Sequence, residues 1–138
     1  MLLQKFEKYH LWSYLIFRVF VGFLFLQHGL QKFAIVVKAG AAAAPSAPAL
    51  FSLMWFAGVI EIVVGIAVLI GLFTRGAALV GALQMIVAYV KVHAPQGINP
   101  FLNGGELAVM FFVAFLILLA HGAGKWSLER VILKKEFF

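Results

Sequence analysis

The hydrophobic positions of the chain fall into four runs separated by shorter polar or turn-forming segments. The runs cover approximately 11–37, 50–73, 76–93 and 106–121. A spanning helix needs about 20 apolar residues, so the first two runs are long enough and the last two are short. Flanking residues or local bilayer thinning would accommodate the short runs at a modest cost. The pattern therefore predicts one domain, residues 1–138, that is an all-α membrane protein with a four-transmembrane-helix bundle.

Both longer connections contain residues that interrupt helices. The first carries an alanine stretch followed by Pro45 and Pro48, which exclude one continuous helix. The second, residues 93–105, concentrates proline, glycine and asparagine. Because connecting loops often carry function, we expect the second connection to contribute to a site.

The composition agrees with a lipid environment and excludes several function classes. Hydrophobic residues make up 64% of the chain and charged residues 12%, against an ordinary charged fraction of about 25%. The net charge of +6 does not indicate nucleic-acid binding, because the basic residues lie at segment ends without a groove-reading motif. The chain has no cysteine, so a redox role would require a bound cofactor or a partner.

The distribution of lysine and arginine predicts the orientation. Seven basic residues fall on one side of the predicted membrane: Lys5, Lys8, Arg75, Lys125, Arg130, Lys134 and Lys135. Three fall on the other: Lys32, Lys38 and Lys91. The positive-inside rule then puts both termini in the cytoplasm of a multi-pass cell-membrane protein.

The two ends of the chain allow further predictions. The first run follows Lys5 and Lys8 as in a signal peptide, but it is too long and lacks a small-residue cleavage site, so we interpret it as a retained helix. The segment after Ser127 has Leu128, Val131 and Ile132 on one side. It is predicted to be a short cytoplasmic amphipathic tail on the inner leaflet.

Polar side chains inside the apolar runs are costly in lipid and are functional candidates for that reason. The ligand-binding candidates, taken from the runs and the second connection, are Arg18, His28, Lys32, Glu61, Gln84, His93, Asn103 and Glu106. The histidines show no HExxH or similar spacing, so the sequence predicts no metal site. No catalytic residue can be assigned.

Arg18, Gln84 and Glu61 form a predicted inner layer. Counting from the predicted cytoplasmic edge, Arg18 lies roughly 10 Å deep, Gln84 roughly 12 Å and Glu61 roughly 18 Å. Gly58 and Gly65 share the face of Glu61, which indicates that this face looks into the bundle. We predict a buried ion pair between Arg18 and Glu61, either as a functional group or as a structural clasp.

His28, Lys32, His93, Asn103 and Glu106 form a predicted outer layer. His28 and Lys32 are one helical turn apart, while His93 and Glu106 bound the turn-rich connection. One interpretation is a site where these groups converge. The alternative is that Lys32 extends to the interface while Glu106 serves the helix dipole.

Several motifs together resemble the DoxX family of membrane proteins. They are Arg18-x3-Gly22-x5-His28-Gly29-x2-Lys32, Glu61-x3-Gly65, 69–75 (LIGLFTR), Asn103-Gly104-Gly105-Glu106 and 122–128 (GAGKWSL). The resemblance covers all four predicted helices in order. The chain departs from the family pattern at Glu129, where aspartate is more common.

The resemblance implies a subunit or accessory of a membrane redox system that is quinone-linked and connected with thiosulfate or thiol stress. Quinone is then the expected cofactor, although none is evident in the residues, and any enzymatic role would be that of an oxidoreductase subunit. The expected partners are the bilayer, a membrane or periplasmic redox subunit, and a second copy of the chain. The alternatives are a lipid or small-solute binding or transport module, and a structural membrane subunit.

Overall fold

The computed structural model describes residues 2–36 and 46–134, with the backbone alone for residues 2–8. Within these residues the structure is all-α, which confirms the predicted class. Its α-helices are α1 (Leu2–Lys32), α2 (Leu53–Ile70), α3 (Thr74–Ala88), α4 (Glu106–His121) and α5 (Leu128–Leu133). Lys38, Pro45 and Lys135, which entered the sequence predictions, lie outside the described residues, as do the side chains of Lys5 and Lys8.

Three segments of the described chain are long and apolar enough to cross a membrane, namely Tyr9–Lys32, Leu53–Ile70 and Thr74–Gln96. The third combines α3 with a π-helical turn (Tyr89–His93) and a 3-10 turn (Ala94–Gln96). Helix α4 is apolar but shorter. The chain is therefore a multi-pass membrane protein by the length and composition of its helices.

Local backbone features determine where the helices end. Helix α1 ends at Lys32 rather than at the predicted residue 37, and Ala34 follows with a left-handed φ of 57°. Ser52 caps α2 by accepting a hydrogen bond from the Trp55 amide at 3.2 Å. Gly71 ends α2 with a φ of 71°, a conformation that glycine adopts without steric cost.

The helices pack mainly as two neighbouring pairs, α1 with α2 and α3 with α4, joined by contacts between α2 and α3. We call the end of the bundle that contains Lys32, Ser52 and Gly105 the loop end. The opposite end, which contains Arg18, Gly71 and Ala123, is called the tail end.

Glycine allows α1 and α2 to approach at backbone distance. A Cβ atom on Gly22 would lie 2.5 Å from the Leu69 amide nitrogen, and one on Gly65 would lie 2.5 Å from the Leu26 amide nitrogen. Gly58, Glu61 and Gly65 are all buried on α2, so the predicted inward face is confirmed. Small residues at such contacts permit the close packing on which helix association in lipid depends.

Aromatic packing joins α1 to α4 in the middle of the bundle. The Phe25 ring lies 4.8 Å from Phe115 and 5.1 Å from Phe111 between ring centroids, with edge-to-face geometry in both cases. Phe25 and Phe115 are buried. These contacts close the space between α1 and α4 below the loop end.

Helix α5 returns to the tail end of the bundle. Ser127 caps it, the Glu129 amide donates to the Gly71 carbonyl at 3.0 Å, and the Glu129 side chain is buried. Val131 and Ile132 remain exposed. The predicted tail thus forms a six-residue helix that is attached to the bundle and has apolar side chains on its outer surface.

Candidate functional site

A cavity of about 230 Å³ lies inside the loop end of the bundle. Four titratable side chains line it: His28, Lys32, Glu61 and His93. Its other lining residues are Phe25, Met85, Ala88, Gly104, Leu107, Ala108 and Phe111. These residues come from α1, α2, α3, α4, the π-helical turn and the connection before α4. A cavity where polar groups converge is a default binding-site candidate.

An ion pair between Lys32 and Glu61 forms the polar wall of this cavity. The Lys32 ammonium donates to Glu61 Oε1 at 2.7 Å and to Oε2 at 2.6 Å. The side chain of Glu61 is 5% exposed, whereas that of Lys32 is 23% exposed. The carboxylate is therefore buried against a cation that keeps some access to the surroundings.

Gln84 holds the same carboxylate from α3. Its Nε2 donates to Glu61 Oε1 at 3.0 Å and to the Ala57 carbonyl at 3.1 Å. Glu61 thereby accepts three hydrogen bonds from two helices, an arrangement that fixes its orientation. The Gln84 Oε1 atom is buried and has no hydrogen-bond partner among the described residues, and Gln84 does not line the cavity.

The predicted ion pair between Arg18 and Glu61 is wrong. Arg18 is buried at the tail end, where Nη1 donates to the Ala123 carbonyl at 2.5 Å and Nη2 donates to the Trp126 carbonyl at 2.8 Å. Its role in the described structure is to hold the segment between α4 and α5. Arg18 thus takes no part in the loop-end cavity.

The direction of helical side chains explains the correction. Glu61 is level with Gly29, because a Cβ on Gly29 would meet Ile62 and Gly58, and Arg18 is about 16 Å from that level along α1. Side chains lean toward the N-terminus of their own helix, so Arg18 leans toward the tail end and Glu61 toward the loop end. Lys32 on α1 leans toward the tail end and so converges with Glu61.

Asn103 organises the loop-end connection rather than lining the cavity. Its Nδ2 donates to the Gly97 carbonyl at 2.6 Å and to the Tyr89 hydroxyl at 3.3 Å, while its Oδ1 accepts from the Gly105 amide at 2.8 Å. His93 Nδ1 lies 3.1 Å from the Asn103 carbonyl. The side chain of Asn103 therefore fixes the loop beside the histidine that reaches the cavity.

The predicted outer layer is only partly assembled. His28, Lys32 and His93 meet in the cavity, and Asn103 contacts His93. Glu106 is exposed at the start of α4 and does not line the cavity. Its position in the first turn of α4 suits the positive end of that helix dipole.

Two groups of residues were missed by the sequence analysis. Phe25 and Phe111 form the apolar floor, and His28 packs edge-on against Phe111 with 5.6 Å between ring centroids. The Tyr89 hydroxyl donates a hydrogen bond to the Ile98 carbonyl and accepts one from Asn103 Nδ2. The spacing of four between Tyr89 and His93 was a usable signal, because residues so spaced lie on one helical face.

The described residues contain no group of three or more histidine, cysteine, aspartate or glutamate side chains able to hold a metal ion. The cavity instead offers imidazole rings and an ammonium group, which are hydrogen-bond donors, and a carboxylate acceptor. Its chemistry fits a small polar group that exchanges hydrogen bonds with these side chains.

Arg18→Gln is expected to loosen the tail segment. The substitution removes two charge-assisted hydrogen bonds to carbonyls, each worth about 1.5–3 kcal/mol. We expect hydrogen exchange of the Glu129 amide, which bonds to Gly71, to accelerate at least about tenfold. Arg75→Gln, which removes a longer 3.4 Å bond to the Ala120 carbonyl, is the matched control. Equal exchange in both variants would show that Arg18 does not hold the segment.

Comparison with known proteins gives one family and several relatives. The DoxX family model matches residues 13–94. A Haemophilus influenzae protein described as uncharacterised is 36% identical over 138 residues, covering 96% of this chain and all of the relative. An uncharacterised membrane protein of Mycobacterium tuberculosis is 33% identical over 135 residues, covering 89% of this chain and 83% of the relative. No solved structure shows significant similarity to the chain.

Proposed function

The chain belongs to the DoxX family of membrane proteins, and from this premise we propose that its loop-end cavity binds a quinone head group. In this proposal the protein is a subunit or accessory of a quinone-linked membrane redox system. The observation that carries the proposal is the joint placement of His28, Lys32, Glu61 and His93 around one cavity.

The chemistry of the cavity supports a quinone-type head group. Quinone carbonyl oxygens accept hydrogen bonds, and the corresponding hydroxyls of the reduced form donate them. Histidine and lysine supply donors, while the Glu61 carboxylate supplies acceptors. The cavity of about 230 Å³ is smaller than the roughly 300–1,000 Å³ typical for whole drug-sized ligands, so it suits a head group rather than a complete ligand.

A neighbouring apolar groove supports an amphiphilic ligand. This groove, about 200 Å³, lies between α3 and α4 and is lined by Met85, Ile86, Tyr89, Val90, Ala108, Val109 and Phe112. It shares Met85 and Ala108 with the polar cavity. A molecule with a polar head and an apolar chain therefore finds a matching surface for each part at the loop end.

We also propose four membrane crossings with both termini in the cytoplasm. Helix α4 packs antiparallel to α3, because Gly81 meets Phe115 while Met85 and Ala108 line the same cavity. It covers much of the depth that α3 covers, which supports four crossings despite its length. The distribution of lysine and arginine along the sequence favours cytoplasmic termini, which places the cavity near the outer face of the cell membrane.

The proposed redox role requires partners. With no cysteine in the sequence, electrons would reach a bound quinone from another subunit, in the membrane or on the periplasmic side. A small anionic substrate such as thiosulfate would approach the cationic Lys32 from the loop end. A second copy of the chain is a further partner compatible with the apolar outer surfaces of the helices.

Quinone titration tests the proposal. We expect purified protein in detergent to bind short-chain ubiquinone or menaquinone analogues saturably, as measured by equilibrium dialysis. His93→Phe should weaken binding about tenfold, because losing one hydrogen bond to the head group costs up to about 1.4 kcal/mol. Lys91→Gln, an exposed neighbour outside the cavity, is the control and should bind as the wild type does.

Three results would contradict the quinone proposal. Absence of saturable binding with every analogue would remove its basis. Unchanged affinity in His93→Phe would locate the quinone elsewhere. Tight binding of phospholipids with no preference for quinones would instead favour the lipid-binding alternative, for which the apolar groove between α3 and α4 is the supporting observation.

A further inference from the structure

A second cavity, of about 290 Å³, lies at the tail end, at the opposite end of the bundle from the proposed quinone site. Four basic side chains line it: His10, His121, Lys125 and Arg130. The remaining lining residues are Leu11, Tyr14, Leu15, Ala123, Gly124 and Trp126. No acidic residue among those that the structure describes lines it, so the cavity has a positive character.

Buried groups hold the segment that carries two of these residues. Arg18 donates to the carbonyls of Ala123 and Trp126, on either side of Lys125. The Tyr14 hydroxyl donates to the Gly122 carbonyl at 2.6 Å. The backbone of the cavity wall is therefore fixed before any ligand arrives, which lowers the entropic cost of binding.

The cavity lies at the level where α2 and α4 end and α3 begins, while α1 continues past it. Helix α4 ends at His121, and the neighbouring turn between α2 and α3 contains Gly71. Trp12 stacks on Trp126 with 6.2 Å between ring centroids, and both are exposed. Tryptophan is typical of the membrane–water interface, so the basic cluster is within reach of lipid head groups.

We propose that the tail-end cavity binds the phosphate head group of an anionic phospholipid. Lys125 and Arg130 supply the charged donors for the phosphate, and His10 and His121 supply further nitrogen donors. Basic pockets between transmembrane helices are suited to such head groups. The site fixes a lipid next to the clamp that Arg18 forms with the tail segment.

Apolar surface favours a lipid over a soluble phosphate compound. Leu11 and Leu15 line the side of the cavity contributed by α1 and continue into the apolar surface of that helix. Val131 and Ile132 of α5 are exposed beside the basic residues. An acyl chain would pack on these leucines, whereas a soluble phosphate ester has no apolar part to cover them.

The test is a lipid titration of the purified full chain in a neutral detergent. Short-chain phosphatidylglycerol, short-chain phosphatidylcholine and glycerol phosphate are compared by isothermal calorimetry. Lys125→Gln/Arg130→Gln is expected to weaken phosphatidylglycerol binding about 30-fold, since each basic residue near anionic lipid contributes about fivefold. Lys91→Gln/Lys134→Gln removes the same charge outside the cavity and should retain the wild-type affinity.

Each outcome bears on the proposal. Preference for phosphatidylglycerol that is lost only in the cavity variant supports it, and Lys125→Arg should keep that preference. Equal binding of phosphatidylcholine, or equal weakening in both double variants, would overturn it in favour of nonspecific attraction. Glycerol phosphate binding as tightly as the lipid would overturn it in favour of a soluble ligand. All four substituted residues, Lys91, Lys125, Arg130 and Lys134, are exposed, so these variants are expected to fold.

Discussion

Lys32→Met is expected to lower the free energy of unfolding by about 3–5 kcal/mol, the usual cost of leaving one charge of a buried pair without its partner. The substitution removes both hydrogen bonds that the Lys32 ammonium gives to Glu61. The carboxylate, 5% exposed, would keep only its bond from Gln84 among the described contacts. Equilibrium unfolding in mixed detergent micelles measures the change.

Substitution of the partner residue, Glu61→Met, is expected to lower the free energy of unfolding less. Glu61→Met leaves the ammonium of Lys32, which is 23% exposed and can extend toward the loop-end surface on its flexible stem. We expect a loss of about 1–2 kcal/mol, because the stranded charge regains water. Lys32→Met/Glu61→Met should be more stable than Lys32→Met alone. If the double variant is as unstable as the sum of the two single variants, the residues are not coupled.

The sequence pattern was sufficient to predict the helical segments and the inward face of α2. The apolar runs predict helical segments, and the spacing of Gly58, Glu61 and Gly65 predicts one buried face. Both features depend on local periodicity, which the sequence contains in full. The spacing therefore correctly identifies Glu61 as a buried carboxylate.

The partner of Glu61 could not be obtained in the same way. Its identity depends on the vertical register between α1 and α2, which the close contacts at Gly22 and Gly29 determine. The counted depths took residues 11 and 73 as one level, whereas Gly22 packs against Leu69 and Gly29 against Ile62, so the counting put Glu61 too close to the level of Arg18. Lys32 was consequently assigned to an outer layer although its side chain descends to Glu61.

The loop-end connection was predictable in composition but not in geometry. A concentration of glycine, proline and asparagine indicated turns and a candidate site. Asn103, however, makes its hydrogen bonds to backbone and hydroxyl groups that are distant in sequence by up to 14 residues. Such contacts arise only once α3 and α4 are packed. The sequence therefore identified Asn103 as a candidate site residue, but it did not show that the Asn103 side chain positions a loop.

The two cavities divide the bundle into ends of different chemistry. At the loop end the Lys32 ammonium and the Glu61 carboxylate line the cavity together with two histidines. At the tail end basic and aromatic side chains line the cavity together with Leu11 and Leu15. The proposed quinone and phospholipid sites thus use opposite ends of the same helix α1, with Arg18 holding one end and Lys32 the other.

Gly65→Ala is expected to separate α1 from α2 and to lower the free energy of unfolding by about 3 kcal/mol, the upper part of the range for overpacking. The added Cβ would lie 2.5 Å from the amide nitrogen and 2.7 Å from the Cα of Leu26, which are backbone atoms that cannot rotate away. Gly76→Ala is the control, because nothing lies within 4 Å of its Cβ position in α3, and alanine favours the helix by up to about 1 kcal/mol. Unfolding in mixed micelles distinguishes the two. A stable Gly65→Ala protein would mean that the two helices do not touch at this glycine, and the register that brings Lys32 to Glu61 would then need another explanation.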